Sequence, residues 1–287
     1  MDKKKTLRDL HKMKSENTKV TFITAYEYQM AKLAERADID LILVGDSAGN
    51  NILGYKDTRP VTMDEMIMLS KAVRKGAPNT FVIGDMPLGS YQSSDALAVD
   101  NALRFIKEAE MDAVKCEGGK RIAERVKAMA NAGIAVMGHI GYTPQSTNLL
   151  DIVQGNSVKK FEDLVQNAYA LQNAGAFAIL LEAVPNYPAG LIAKKMKIPI
   201  YGIGAGKDVD GVLAIVNDVI GLGDFNSRFV KHFCEAGNLI GKGIKDYIRA
   251  VREETFPAEE QFYPLNKAER DGIEKYVQEY INVKENC

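Results

Sequence analysis

The chain has 287 residues, 46% of them apolar, enough for one large α/β domain or two average ones with full cores. Its 37 basic and 38 acidic side chains leave a formal net charge of −1, so electrostatics gives no case for nucleic acid or a membrane surface as partner. No apolar run approaches the roughly 20 residues of a membrane span. Three scattered cysteines, Cys116, Cys234 and Cys287, fit neither a disulfide framework nor a zinc site, and point to a reducing cytosol.

Residues up to about Thr18 read as a polar lead-in helix, with Lys3 to Lys5 as a solvated start that no signal-like apolar segment follows. Lys19 to Thr24 reads as the first strand and Tyr26 to Ala37 as a helix with apolar residues at helical spacing. Leu41-Ile-Leu-Val44, stopped by Gly45, reads as a buried parallel strand with Asp46 and Ser47 at its carboxyl end. A polar loop runs from Asn51 to Thr62, where Thr62 and Glu65 carry the hydroxyl-then-acid spacing of a capping box and predict a helix to Arg74. The next strand ends at Asp85 and is followed by a helix from Ser94 to Glu110. The fourth strand, Ala113-Val-Lys-Cys-Glu117, is closed by Gly118 and Gly119.

Lys120 to Ala132 reads as a helix and Ile134 to His139 as the fifth strand. A long loop covers Gly141 to Ser157, and long ordered loops are disproportionately functional. Lys160 to Asn173 is expected to be helical, Phe177 to Glu182 the sixth strand, Tyr187 to Met196 a short helix and Ile198 to Gly202 the seventh strand. Val216 to Gly221 is the weakest segment and reads as an eighth strand. Eight strands alternating with helices predict a closed (β/α)8 TIM barrel, with a doubly wound open sheet as the alternative. With no linker rich in Gly, Pro or Ser, residues 1–287 read as a single barrel domain. Its charged tail, from about 257, is helical at Ala268 to Tyr280 and packs on the barrel's outside or on a neighbouring subunit.

In parallel-strand barrels, ligands bind at the carboxyl ends of the strands. Three of these strands deliver an acid there: Asp46, Asp85 and Glu117. One such acid alone more often caps a helix or solvates a loop. Three in succession read as a metal site, and an oxygen-only set suits Mg²⁺ or Mn²⁺, with two direct carboxylates and a third through water sufficing. Lys115 shares a strand face with Glu117. In a barrel that face is the interior, so Lys115 meets either a substrate carboxylate or a structural acid. His139 reads as a donor to a substrate oxygen or as a satisfied strand-end hydrogen bonder. Glu182 follows an entirely apolar strand, a setting that raises basicity and suits a general base, with helix capping as the other reading. Gly202-Ile-Gly-Ala-Gly206 lacks the third glycine of a dinucleotide fingerprint and reads as a turn that lets a ligand approach the backbone.

Several stretches, in this order, resemble the ketopantoate hydroxymethyltransferase family: Thr21-Phe-Ile-Thr-Ala-Tyr26, Leu43-Val-Gly-Asp-Ser47, Pro60-Val-Thr62, Val114-Lys-Cys-Glu-Gly-Gly119, Gly138-His-Ile-Gly-Tyr-Thr-Pro-Gln-Ser146, Leu181-Glu-Ala-Val-Pro185 and Gly202 to Gly206. The resemblance implies a barrel of the phosphoenolpyruvate mutase/isocitrate lyase type and a cytoplasmic homo-oligomer, commonly a decamer. It implies transfer of a hydroxymethyl group from 5,10-methylenetetrahydrofolate to 3-methyl-2-oxobutanoate through a metal-stabilised enolate, giving 2-dehydropantoate on the way to pantothenate. By resemblance, Asp46, Asp85 and Glu117 hold the metal. Asp46, Ser47, Asp85, Lys115 and His139 hold the oxoacid, and Glu182 accepts the proton. The chain departs from the family pattern after Ser146, where only Val153-Gln-Gly155 remains of a Gly-Gly-aromatic run. It departs again at Arg59, at Asn217 and in its longer tail. A paralogous metal-dependent carbon–carbon lyase or mutase on another 2-oxoacid is the alternative, although the Lys-Lys-Cys-Gly-His segment of those lyases is missing. A scaffold protein without catalysis is a third reading, opposed by the intact acid set.

Overall fold

The computed structural model describes residues 4–146, 151–223 and 228–281. They form two compact units, one within residues 1–234 and the other within residues 235–287. The first unit is a closed barrel of eight parallel strands, each hydrogen-bonded to the next and β8 to β1. In chain order its elements are α1 (Leu7–Ser15), β1 (Val20–Thr24), α2 (Tyr28–Arg36), β2 (Leu41–Val44), α3 (Ala48–Asn51), α4 (Met63–Gly76), β3 (Phe81–Asp85), α5 (Asp95–Glu108) and β4 (Ala113–Glu117). A 3₁₀ turn at Gly119–Ile122 leads into α6 (Ala123–Asn131). Then come β5 (Val136–Gly141), α7 (Val158–Asn173), β6 (Ala178–Glu182), α8 (Asn186–Lys195), β7 (Ile200–Ile203), β8 (Gly211–Ala214) and α9 (Val216–Ile220).

The alternation of side chains along each strand divides the core in two. Inward residues such as Leu41, Leu43, Ile83, Ala113, Met137 and Leu180 fill the barrel. Outward residues such as Ile42, Val44, Val82, Val114 and Ile179 pack under the helices. Leu10 of α1 is fully buried among the inward set, so the lead-in helix covers the amino-terminal end of the barrel. Local signals place the helices. The Thr62 hydroxyl accepts from Glu65 N while the Glu65 carboxylate accepts from Thr62 N, the reciprocal capping box expected at the start of α4.

The eighth strand is not where the sequence placed it. β8 is Gly211–Ala214, and Val216–Ile220 is the short helix α9. The acids before Gly211 look like loop chemistry, yet Asp210 is an anchor. Its carboxylate accepts from Ile200 N at 2.7 Å and from Lys14 Nζ at 2.6 Å, which ties β7, β8 and α1 together. Gly211 is required because a Cβ there would lie 2.5 Å from Val20 O on the neighbouring strand.

The second unit contains α10 (Ala236–Arg252), which the sequence reading did not anticipate, a 3₁₀ turn at Glu259–Gln261, and α11 (Lys267–Tyr276) with a π turn at Val277–Ile281. No helix among the described residues is long and apolar enough to cross a membrane.

Candidate active site

The carboxyl ends of the strands open on a cavity of about 640 Å³, lined by Asp46, Ser47, Asp85, Lys115, Glu117, His139 and Glu182. All seven side chains that the sequence singled out therefore face one space. Strand register explains the convergence. Asp85 pairs with Lys115 across β3 and β4, and Glu117 with His139 across β4 and β5. Paired residues of a parallel sheet point to the same side, here the barrel interior.

Contacts within the group are short. Lys115 Nζ lies 2.8 Å from Asp85 Oδ1, and Asp46 N donates to Asp85 Oδ2 at 2.9 Å. Glu117 Oε1 accepts from Gln145 N at 2.6 Å, and its Oε2 lies 3.1 Å from His139 Nδ1. The other ring nitrogen, Nε2, lies 3.2 Å from Glu182 Oε2 but off the axis of a hydrogen bond. His139 thus lies between two acids, hydrogen-bonded on its Nδ1 side, while Nε2 has no hydrogen-bond partner among the described residues. Ser47 is held by the Tyr26 hydroxyl, with 2.8 Å between the oxygens. Glu182 is partly buried, with 22% of the side chain exposed.

Burial and mutual repulsion set the charge states. Asp46 is pushed up to about 8, first by burial and then by the negative charge of Asp85. Burial pulls Lys115 down, but Asp85, Asp46 and Glu117 outweigh it and hold the ammonium charged well above its ordinary range. Burial and the Lys115 charge likewise depress His139, yet its contacts with Glu117 and Glu182 lift it to about 9. Burial would raise Glu117, but His139, Lys115 and the Gln145 N–H bring it below its ordinary value.

Among the described residues, no three His, Cys, Asp or Glu side chains surround a single point closely enough to hold a metal directly. The three acids are therefore not a closed cage. Their chemistry still fits a hard divalent cation. The donors are all oxygens, the buried group carries more acids than cations, and Asp46 Oδ1 has no hydrogen-bond donor among the described residues, while Oδ2 does. Asp46 and Asp85 are linked through the Asp46 N–H, and Glu117 is paired with His139.

The ketopantoate hydroxymethyltransferase family model matches residues 4–259. The chain belongs to the ketopantoate hydroxymethyltransferase family. It is 46% identical over 283 residues to the 3-methyl-2-oxobutanoate hydroxymethyltransferase of Alkaliphilus metalliredigens, a match covering 98% of this chain and 100% of the relative. It is 47% identical over 271 residues to that of Clostridium kluyveri, covering 93% and 96%. Like these relatives, the chain is a transferase. Among solved structures, it is similar to a phosphonopyruvate hydrolase complex with oxalate and Mg²⁺ (TM-score 0.60, 13% identity, 96% and 99% of the chains). A 2,3-dimethylmalate lyase of the PEP mutase/isocitrate lyase superfamily is similar at TM-score 0.59 and 13% identity, covering 97% and 98%. These likenesses show a shared fold, the closed (β/α)8 barrel.

Two residues in contact with this group of side chains escaped the sequence reading. Gln145 is 3% exposed and touches both Asp46 and Glu117. Tyr26 is 1% exposed and orients Ser47. Both lie inside stretches that carry the family resemblance, but no spacing rule marks a buried amide or phenol as part of a site. Leu43, Leu180, Ile203, Leu213 and Ile215 give the cavity an apolar wall. Asn217 and Asp218 of α9 close it, both largely buried.

Proposed function

We propose that the chain transfers a hydroxymethyl group from 5,10-methylenetetrahydrofolate to 3-methyl-2-oxobutanoate, giving 2-dehydropantoate for pantothenate synthesis. The observation that carries this reading is a carboxylate, Glu182, facing the same cavity as Lys115 and three strand-end acids. Asp46 and Asp85 would hold Mg²⁺ or Mn²⁺, with Glu117 through water. The cation would supply Lewis-acid polarisation of the ketone. Lys115 meets the oxoacid's carboxylate, and Ser47, fixed by Tyr26, donates to it. The apolar wall from Leu43 to Ile215 suits an isopropyl group and excludes water from the reacting carbon.

Glu182 takes the proton from C3. Its Oε2 lies beside His139 Nε2, whose N–H has no aligned acceptor among the described residues and is free to donate to a substrate oxygen. The resulting enolate carbon attacks the folate's one-carbon unit. One of the two carbon–nitrogen bonds to the folate breaks as the carbon–carbon bond forms, water displaces the other and provides the hydroxyl, and the two freed nitrogens take up the C3 proton and one proton of the water. The same reading makes the protein a cytoplasmic homo-oligomer. Supporting that, α10 exposes Leu239, Ile240, Ile244 and Tyr247 on the single chain, more apolar surface than an isolated helix usually shows water.

The test is NMR of deuterium exchange at C3 of 3-methyl-2-oxobutanoate with Mg²⁺, followed by addition of the folate. Exchange, then 2-dehydropantoate formation, is the expected result. An absence of exchange rejects the enolate route. Exchange without transfer points to a different one-carbon donor.

A further inference from the structure

Gln145 occupies a position that the reaction scheme does not use. Every hydrogen-bonding group of its side chain is engaged although the residue is buried. Its Nε2 donates to Asp46 Oδ2 at 2.9 Å and to Met86 O at 3.0 Å. Its Oε1 accepts from the Tyr91 hydroxyl at 2.7 Å and from Gln92 Nε2 at 3.3 Å. Two acceptors on the nitrogen side and two donors on the oxygen side fix the amide's orientation, because the flipped amide would set oxygen against the Asp46 carboxylate. The donors are themselves fixed. Glu117 N donates to the Tyr91 oxygen at 3.1 Å, and that hydroxyl's proton has two acceptors in reach, Gln145 Oε1 at 2.7 Å and Glu117 O at 3.1 Å, of which Gln145 is the nearer. Gly89 N holds Gln92 Oε1 at 2.7 Å. The backbone N–H of Gln145 meanwhile donates to Glu117 Oε1.

One residue therefore holds one oxygen of each of two acids at the ends of different strands. Asp46 Oδ2 and Glu117 Oε1 are occupied, and Asp46 Oδ1 is left to the cavity. Outer partners of this kind set the orientation and affinity of metal-binding carboxylates. We propose that Gln145 is a positioning residue that determines which carboxylate oxygens of Asp46 and Glu117 face the divalent cation. The proposal rests on the reading that these acids hold a cation.

Mn²⁺ titration of the metal-free protein tests it without turnover, with bound and free ion followed by electron paramagnetic resonance and calorimetry. Asp46→Asn tests the underlying reading, and Gln145→Met removes the amide at nearly constant volume. Gln145→Met is expected to bind Mn²⁺ about 10–100-fold more weakly, with an altered line shape for the bound ion and an unchanged circular dichroism spectrum. Tyr91→Phe removes only the hydroxyl that orients the amide. It is expected to weaken binding in the same direction by less, and it decides the matter if Gln145→Met does not fold. Loss of binding in Asp46→Asn together with wild-type affinity and line shape in the Gln145 or Tyr91 variant overturns the proposal alone. Equal binding by wild type and Asp46→Asn overturns the cation reading and the proposal with it.

Discussion

Glu182 shows how much a single side chain can be asked to do. It ends β6, and the residue after it, Ala183, has φ +53°, a conformation that costs a non-glycine residue of order 1–3 kcal/mol. The turn is held by Ala183 N donating to Ile203 O and by Gln154 N donating to Ala183 O, both at 3.0 Å. Strain of this kind persists where surrounding bonds over-determine it, and here it lies directly after the carboxylate. Glu182→Gln keeps the shape and removes the base. C3 exchange should fall by about 10²–10⁴-fold. Thermal stability should barely move, because the side chain is partly exposed. NMR exchange beside a melting curve checks both, and wild-type exchange in this variant would remove Glu182 from the proposed mechanism. At this scale the acids were legible because each follows a short apolar run. Gln145 was not, since its partner Asp46 lies 99 residues away and only the closed barrel joins them.

The elements that carry these side chains are set by local rules and by close packing. The start of α4 is the clearest local case. The Tyr55 hydroxyl and the Thr62 N–H hold the Glu65 carboxyl below its ordinary value of 4.5. A depressed folded-state value means the cap contributes fully above about 4.5, and that the contribution is lost as pH falls through the lowered value. Glu65→Ala should therefore cost about 1 kcal/mol at pH 7, and the gap to wild type should narrow on acidification below about pH 4. Urea titrations at both pH values measure it, and a gap that widens in acid would contradict the cap. Close packing is clearest at Gly84, one residue before Asp85. A Cβ there would sit 2.3 Å from Cδ1 of the fully buried Phe105 on α5. Gly84→Ala should destabilise by about 1–3 kcal/mol and displace the end of β3, weakening Mn²⁺ binding through Asp85. Wild-type stability and affinity would show that α5 can yield. The elements that sequence missed have physical reasons too. β8 is only four residues long and follows two acids. α10 contains Gly237, Gly241 and Gly243, which lower helix propensity and mask its apolar spacing.

At the scale of the whole molecule, the barrel separates chemistry from stability, as expected when active sites lie at the carboxyl ends of the strands. The amino-terminal end is fastened by buried charge. Arg74, at the end of α4, has a side chain only 9% exposed. Its guanidinium donates to Glu110 O at 2.9 Å, to Ala77 O at 3.1 Å, to Thr80 O at 3.0 Å and to Asp112 Oδ2 at 2.6 Å. Asp112 Oδ2 also accepts from Val82 N, and Lys4 lies 2.5 Å from its Oδ1. These groups precede or open β3 and β4, about 17 Å along the strands from Asp85 and Glu117 at a rise near 3.3 Å per residue. Arg74→Leu would leave three carbonyls and a carboxylate facing an apolar side chain, and breaking a buried pair in this way costs about 3–5 kcal/mol. Arg74→Lys should recover part of the loss, since a single ammonium cannot reach all four acceptors that the planar fork spans. Turnover per folded molecule should stay at the wild-type level in both variants, because no group of the cavity touches Arg74. Denaturation midpoints read against C3 exchange separate the two effects. A Leu variant that lost exchange while keeping its midpoint would mean that the ends of the barrel are not independent.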